Sequence, residues 1–259
     1  MPIKNNFIGP KDLSIHYFMN GFSFCTHTKI DFVPSSPNDL SNFKNTLDEY
    51  FDYYPKASFA SFSVLFFQSP STFVPQQFFE ESQTEQYLKL FKKTKETDHV
   101  VFDTLEGESN QVNLYTIPKG IKEALAQTDF HFKTSHYNTL LYKKIIALGS
   151  SNHFDHQVYI HIQNAAMDVF LRNKNQILFH NRFPVKNEDE FLYYLFFVVE
   201  QFDLKTEEFE LIFLGKIPEF ENFYKAANLY HNNCTYITEK EHYPKISLHH
   251  APFLASYFY

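Results

Sequence analysis

The alternation of apolar and polar residues predicts a β-hairpin near the start of the chain. Residues 13–19 alternate, the pair Asn20-Gly21 follows, and residues 22–28 alternate again. An Asn-Gly pair accepts positive φ at both central positions of a tight turn. We therefore expect two antiparallel strands joined by this turn.

A second hairpin is predicted about halfway along the chain. Residues 157–163 and 166–172 alternate in the same way, and Asn164-Ala165 separates them. Each half of the chain thus opens with paired strands, which indicates a repeated architecture.

Helices and buried strands follow each hairpin, because the apolar residues then recur either at helical spacing or in short continuous runs. The predicted helices lie at residues 37–54, after Pro75, from Pro118, at 137–148, 187–199, 218–230 and 252–259. The further predicted strands lie at residues 58–67, 99–105, 112–117, 130–135, 176–183, 209–214 and 234–238. This order predicts an α/β fold in which mixed (α+β) sheets are covered by helices.

The polar segment at residues 150–156 separates the two runs of elements. Linkers between compact units are commonly polar and exposed. The sequence therefore predicts a first lobe over residues 1–150 and a second lobe over residues 151–259.

Glycine is scarce, and this argues against the common nucleotide-binding loops. The chain has 6 glycines, whereas average usage in a protein of this length gives roughly 18. No two are spaced for GxGxxG or a Walker A loop, in which the backbone must approach phosphate without an intervening Cβ.

The net charge and the hydropathy pattern limit which partners and which cellular compartment we expect. The net charge is −7, the wrong sign for a dedicated nucleic-acid binder, so we expect no nucleic-acid partner. The longest apolar run, residues 191–199, is half the length of a membrane span, and residues 1–11 lack the apolar segment of a signal peptide. Two distant cysteines indicate reduced thiols. We expect a cytoplasmic protein with no membrane span.

Candidate metal ligands and nucleophiles are few. The chain has 13 histidines, of which His153 and His156, with Asp155 between them and His161 nearby, form the tightest group. They fall in the predicted linker without an assignable third ligand, so we predict no metal site. Cys25 and Ser69 are the nameable nucleophiles, but neither lies in a nucleophile elbow, and we predict no catalytic residue.

The doubled order of elements resembles the actin-like ATPase architecture, which is built from two tandem ribonuclease H-like lobes. Within that class, nearly the whole chain resembles a bacterial family of unknown function, DUF3822, found in Bacteroidota. The residues behind this resemblance are 13–16, the Asn20-Gly21 turn, 158–172 and 211–216. The resemblance implies a fold and leaves the function open.

The chain departs from the pattern that the resemblance implies for ATP. Actin-like ATPases use an acidic residue and glycines in the first hairpin of each lobe and a glycine pair under the adenosine. Residues 17–21 contain a glycine but no carboxylate, residues 163–166 contain neither, and residues 214–216 contain one glycine. The nearest acids, Asp12 and Asp168, lie outside the turns. We therefore predict no cofactor.

Three functions fit these observations. The first is a non-catalytic interaction or assembly module of actin-like fold, with an unknown protein partner. The second is an atypical nucleotide or small-ligand binder, enzyme or sensor, in which Asn20, Gly21, Asn164 and Gly215 line a cleft between the lobes. The third is a homodimer formed through exposed aromatic residues. A cleft filled by Phe and Tyr side chains favours the first, and a deep polar cleft favours the second.

Overall fold

The computed structural model describes most of the chain. The described residues are 11–18, 20–26, 29–36, 39–54, 56–67, 71–89, 98–107, 110–149, 153–163, 165–215 and 218–237. The strands within them are β1 (Lys11–Phe18), β2 (Gly21–Thr26), β3 (Lys29–Pro34), β4 (Phe59–Phe66), β5 (Ser71–Pro75), β6 (Asp98–Leu105), β7 (Gln111–Pro118), β8 (Phe132–His136), β9 (His156–Gln163), β10 (Ala166–Asn173), β11 (Gln176–Pro184), β12 (Phe209–Leu214) and β13 (Cys234–Ile237). The helices are α1 (Leu40–Tyr53), α2 (Thr84–Lys89), α3 (Lys119–Ala126), α4 (Tyr137–Ala147), α5 (Glu188–Gln201) and α6 (Glu221–Tyr230).

Two five-stranded sheets share one topology. The first sheet has the order β3-β2-β1-β4-β8, and the second has the order β11-β10-β9-β12-β13. In both, the opening hairpin is antiparallel and its first strand pairs in parallel with the strand that follows the next helix. The mixed sheets and the repeated order predicted from the sequence are confirmed.

A third sheet interrupts the first repeat. The strands β5, β7 and β6 form it, and α2 packs against it through Leu88. In the first repeat the chain leaves the sheet after β4 and returns through α3 to β8. The second repeat has no such insertion and passes directly from β12 through α6 to β13. The inserted segment accounts for the greater length of the first half.

The helix predicted after Pro75 is confirmed only from Thr84 onwards, as α2. Residues 71–75 pair with β7 as strand β5, two short 3-10 turns follow, and helix begins only at Thr84. Phe78 is apolar but lies in the first of these turns, where it is 65% exposed. The edge strand β3 was also missed. The predicted helix at residues 252–259 lies outside the described residues.

Each large sheet buries one face under two helices. In the first sheet alternate residues such as Ile15 and Val64 pack against α1 and α3, and in the second sheet alternate residues such as Val169 and Leu211 pack against α5 and α6. The opposite faces meet around α4, which is buried along most of its length. Because α4 contacts both sheets, the division at residue 150 stays a proposal.

The helices are short relative to a bilayer. The longest helices among the described residues, α1 and α5, have 14 residues each, whereas a spanning helix needs about 20. In the part of the chain that the structure describes, no helix has the length and apolar character needed to cross a membrane.

Candidate functional site between the two sheets

The turn of the first hairpin carries two of the predicted cleft residues. The Asn20 carbonyl accepts a hydrogen bond from the Ser35 amide at 3.0 Å. Gly21 has φ +147°, and a Cβ at this position would lie 2.2 Å from the Val33 carbonyl oxygen. Glycine is therefore required for the approach of β3 to the hairpin, whatever else the turn contacts.

The end of β12 carries the third predicted residue, Gly215. Its amide donates to the Ile237 carbonyl at 2.8 Å, and its carbonyl accepts from the Tyr224 hydroxyl at 3.3 Å. Both backbone groups are thus used within the second repeat. Asn164 lies outside the described residues. The assignment of these four residues as a cleft lining stays a prediction.

The N-terminus of α4 is held by a cap and a carboxylate. Nδ1 of His136 accepts from the Asn138 amide at 3.1 Å. The Asp103 carboxylate accepts from the His136 amide at 3.0 Å and from the hydroxyls of Ser135 and Thr139 at 2.6 Å each. A negative charge is favourable at this end of a helix because the first amides are unpaired and the macrodipole is positive there. These contacts fix the position of Tyr137, the first residue of α4.

Tyr137 meets a buried carboxylate of the second sheet. Its hydroxyl lies 2.8 and 2.9 Å from the two carboxylate oxygens of Asp168, which is fully buried on β10. Nη1 of Arg182 on β11 lies 2.9 Å from the same carboxylate and also contacts the Tyr137 hydroxyl. The imidazoles of His161 and His180 each lie 3.7 Å from it. We call these five residues the Asp168 cluster.

The charges of the cluster compensate one another. Burial alone would raise the pKa of Asp168, but the Arg182 charge and the contacts with His161 and His180 outweigh it, so this pKa lies well below its usual range. Burial raises the pKa of Tyr137 well above its usual range; the Arg182 charge lowers this pKa, but the Asp168 charge and hydrogen bond raise it further. The carboxylate is therefore ionised, and the phenol is a neutral hydrogen-bond donor.

A second charged residue of β10 binds the other end of α4. Arg172 is buried, and its Nη1 donates to the carbonyls of Ile145 at 2.7 Å and Gly149 at 2.5 Å. Cations are favourable at helix C-termini, where the last carbonyls lack intrahelical partners. Asp168 and Arg172 lie on one face of the strand, since they are four positions apart. One strand thus places opposite charges at the two ends of α4.

Aromatic rings fill the space beside this cluster. The rings of Phe18 and Phe67, at the ends of β1 and β4, stack with centroids 4.6 Å apart, and Phe67 stacks on Tyr137 at 5.1 Å. The same apolar cluster includes Phe170 and Leu214 of the second sheet. The ends of β1 and β4 in the first sheet are thus packed against side chains of the second sheet. This arrangement does not match the acidic, glycine-rich turns that the resemblance implies for a magnesium nucleotide.

Several buried polar atoms near the cluster lack hydrogen-bond partners among the described residues. They are both ring nitrogens of His161, Nε2 of His180, Nε2 of Gln163 and Oδ1 of Asn138. Buried polar groups are normally paired with protein or ordered water. Two of these atoms, Nδ1 of His161 and Nε2 of His180, lie 3.7 Å from the Asp168 carboxylate.

The other candidates for chemistry lie apart from this region. Among the described residues no three His, Cys, Asp or Glu side chains are placed to hold a metal ion. His153 is exposed, and His156 contacts the Asn173 amide at 2.8 Å. Cys25 is fully buried, and burial raises the pKa of its thiol, which makes it a poor nucleophile. Ser69 lies outside the described residues.

Sequence reasoning identified part of the Asp168 cluster and missed the rest. Asp168 and His161 were noted, but Tyr137, His180 and Arg182 were not. A signal was present, because Asp168 and Arg172 lie on one face of an otherwise apolar strand. Charged residues are seldom buried unless they are paired, so that face pointed to partners from another element.

A family assignment follows from the whole sequence. Residues 4–234 match the model of the family described as "Protein of unknown function (DUF3822)". The chain belongs to the DUF3822 family. A search of curated proteins gives no match.

Solved structures establish the fold of this DUF3822 chain. A Bacteroides thetaiotaomicron protein of actin-like ATPase fold and unknown function has a TM-score of 0.71 at 20% identity, over 92% of this chain and 94% of that one. A PilM-PilN type IV pilus biogenesis complex has a TM-score of 0.57 at 10% identity, over 95% and 96%. The chain has the actin-like ATPase fold that the sequence predicted.

Proposed function

We propose that the protein is an interaction or assembly module of actin-like fold that does not hydrolyse ATP. The observation that carries this proposal is the aromatic packing of Phe18, Phe67 and Tyr137 between the two sheets. In a nucleotide-hydrolysing member of this fold, the ends of the opening hairpins hold phosphates. Here the first hairpin strand ends at Phe18, whose ring stacks on Phe67.

The electrostatics of the Asp168 cluster support the same function. A carboxylate that positions magnesium must be free to bind it directly or through water. Asp168 instead accepts from Tyr137 and pairs with Arg182. The cluster therefore serves to join the second sheet to α4, and it stabilises one arrangement of the two sheets.

The comparisons are consistent with a role in assembly. One structure of similar fold is that of a PilM-PilN complex, in which a protein is associated with a partner. A fold by itself does not determine function, so this similarity supports the proposal only as an example.

Thermal unfolding with and without millimolar magnesium-ATP tests the nucleotide half of the proposal. A site with a Kd a hundredfold below the ligand concentration would add about 2.7 kcal/mol of stability, which in a chain of this size raises Tm by roughly 5 to 10 °C. We expect no shift with ATP, ADP or GTP and no release of phosphate. A shift of this size, or turnover above the buffer rate, would contradict the proposal.

A second candidate function is binding of a small polar ligand or nucleotide between the sheets without hydrolysis. Nε2 of Gln163 is buried and has no hydrogen-bond partner among the described residues, which favours this function. In that case one ligand of the thermal screen would raise Tm, and Gln163→Leu would abolish the shift. The variant Glu208→Gln, an exposed substitution in the same repeat, serves as the control and should leave the shift unchanged.

A further inference from the structure

A groove lies on the outer side of the first sheet, away from the Asp168 cluster. It has a volume of about 390 Å³ and runs between β3 and the C-terminal half of α1. Lys29, Asp31 and Val33 form its strand side, and Glu49, Tyr50 and Tyr53 form its helix side. This volume lies within the range of ligand-binding pockets.

The strand that borders the groove is an edge strand. β3 is the outermost strand of the first sheet, and among the described residues it pairs only with β2. An edge strand presents a row of backbone donors and acceptors that another extended chain can pair with. Lys29 and Pro34 occur at its two ends, and no other described strand pairs with the outer side of the four residues between them.

The groove has the position that alternate side chains of an added strand would occupy. Residues 29, 31 and 33 point to the α1 side of the sheet, since all three line the groove. In a strand paired with β3, every second side chain would point to the same side. Those side chains would enter the space under α1, next to Tyr53, which is 76% exposed.

Aromatic faces line this space. The Phe24 ring stacks on Tyr50 with centroids 4.0 Å apart, Tyr50 lies 4.9 Å from Tyr54, and Tyr54 lies 4.6 Å from Tyr53. The rings thus form a continuous series from the core to the exposed Tyr53. The face of an aromatic ring attracts cations because its quadrupole is negative there.

The charges around the groove also favour a cation. Glu49 lines the groove near the C-terminus of α1, which has no basic residue in its last turn. Its charge adds to the negative end of the helix macrodipole. Lys29 pairs with Asp31 at 2.6 Å and neutralises only that carboxylate.

We propose that this groove binds an extended basic peptide segment, which adds to β3 as a further strand and places alternate Lys or Arg side chains against Tyr53 and Glu49. The inference specifies a surface for the interaction function proposed above and rests on that function for its biological setting. Peptide binding at this groove is measured independently of nucleotide binding. A negative result in one assay therefore contradicts only the proposal that this assay tests.

The probe is a labelled nonapeptide in which threonine and arginine alternate, and binding is followed by fluorescence anisotropy. Two matched peptides serve as controls, one with glutamate in place of each arginine and one with every second backbone amide methylated to block strand pairing. We expect the basic peptide to bind, and both control peptides to bind at least about tenfold more weakly. Absence of binding by the basic peptide, or equal binding by either control, would overturn the proposal.

Variants of the full chain localise the binding. Tyr53→Ser combined with Glu49→Gln removes a ring face and a charge from exposed positions, and we expect it to weaken binding by about tenfold. Tyr193→Ser combined with Asp189→Asn makes the same changes on the exposed face of α5 and should leave binding unchanged. Equal loss in both double variants would show attraction to negative surface in general and would overturn the proposal.

Self-association is the competing use of the edge strand. Light scattering over a range of concentrations detects a dimer, and the Tyr53 and Glu49 double variant shows whether it forms at this edge. We expect wild type and variant to have the same oligomeric state. A dimer that dissociates in the variant would show that β3 pairs with a second copy and would overturn the peptide proposal.

Discussion

Asp168 illustrates how one buried charge can hold two parts of a chain together. Removal of a charged group from water is costly, and the cost is recovered only when every partner is in place. Asp168 reaches this state through Tyr137 from α4 and Arg182 from β11. Loss of the carboxylate would leave the guanidinium and the phenol without their acceptor.

We predict that Asp168→Asn lowers the free energy of unfolding by about 2–4 kcal/mol at neutral pH, because Arg182 then lacks a counter-charge. The folded pKa of Asp168 is depressed, so its contribution is present above the unfolded pKa of about 3.9 and is lost as pH falls through the folded pKa. Urea unfolding measures both effects. The difference between wild type and variant should narrow below about pH 4.

The control for this prediction is Asp155→Asn, which removes an exposed carboxylate 3.9 Å from Lys174. Exposed pairs contribute about 1 kcal/mol or less. Equal losses of unfolding free energy in the two variants would show that the Asp168 carboxylate contributes no more to stability than an exposed carboxylate does.

Gly21 and Gly107 allow steric crowding to be separated from backbone strain. Their φ angles are +147° and +148°, but a Cβ would be 2.2 Å from a backbone oxygen at Gly21 and would meet nothing within 4 Å at Gly107. We predict that Gly107→Ala costs about 1–2 kcal/mol from strain and that Gly21→Ala costs about 2 kcal/mol more from the clash. Chemical denaturation measures the free energy of unfolding of both variants. Similar costs in the two would show that β3 can shift to make room for the added Cβ at position 21.

At the scale of elements, α4 is stabilised mainly by its ends and its surroundings. Its N-terminus has the His136 cap and the Asp103 carboxylate, and its C-terminus has the Arg172 guanidinium. The helix has 11 residues, most of them buried. A helix this short would be marginal in isolation, so its tertiary contacts determine its stability.

We predict that Arg172→Met destabilises the protein by about 2–4 kcal/mol, because the carbonyl of the buried residue Ile145 and the carbonyl of Gly149 lose their donor at the end of α4. Hydrogen exchange should also accelerate at the C-terminal amides of α4. Arg172→Lys retains the charge and one donor and should recover part of the loss. Unchanged exchange in α4, with the same global stability, would contradict a capping role.

For the whole molecule, α4 makes the two repeats interdependent. One apolar cluster contains Leu65 of the first sheet, Leu141 of α4 and Ile212 of the second sheet. If either sheet separated from α4, the side chains of the other sheet would also lose contacts in this cluster. Relative motion of the repeats, which nucleotide-hydrolysing proteins of two lobes generally require, would have to break this cluster.

We therefore predict a single unfolding transition for the described repeats. Calorimetry and far-ultraviolet circular dichroism should give coincident midpoints, and Leu141→Ala should shift the single midpoint downwards, since a buried Leu→Ala change costs about 2–5 kcal/mol. Two separated transitions would contradict this expectation and would indicate that the sheets unfold independently.

Most elements and their order follow from local patterns in the chain, because alternation, helical spacing and turn residues specify them. The Asn20-Gly21 hairpin, the helix α5 with its Asn187 cap and the repeated sheet order were all predictable in this way. The short strands β3 and β5 were not, since their burial comes from neighbouring strands and leaves little pattern along the chain.

The tertiary structure alone decided which side chains meet between the sheets. Tyr137 and Asp168 are 31 positions apart, and only the packing of α4 on the second sheet brings them together. The charge pattern of β10 indicated that its polar face needed partners, but long-range pairing determined which ones. The same holds for the groove at β3, because an open strand edge is a property of the sheet and cannot be read from the strand.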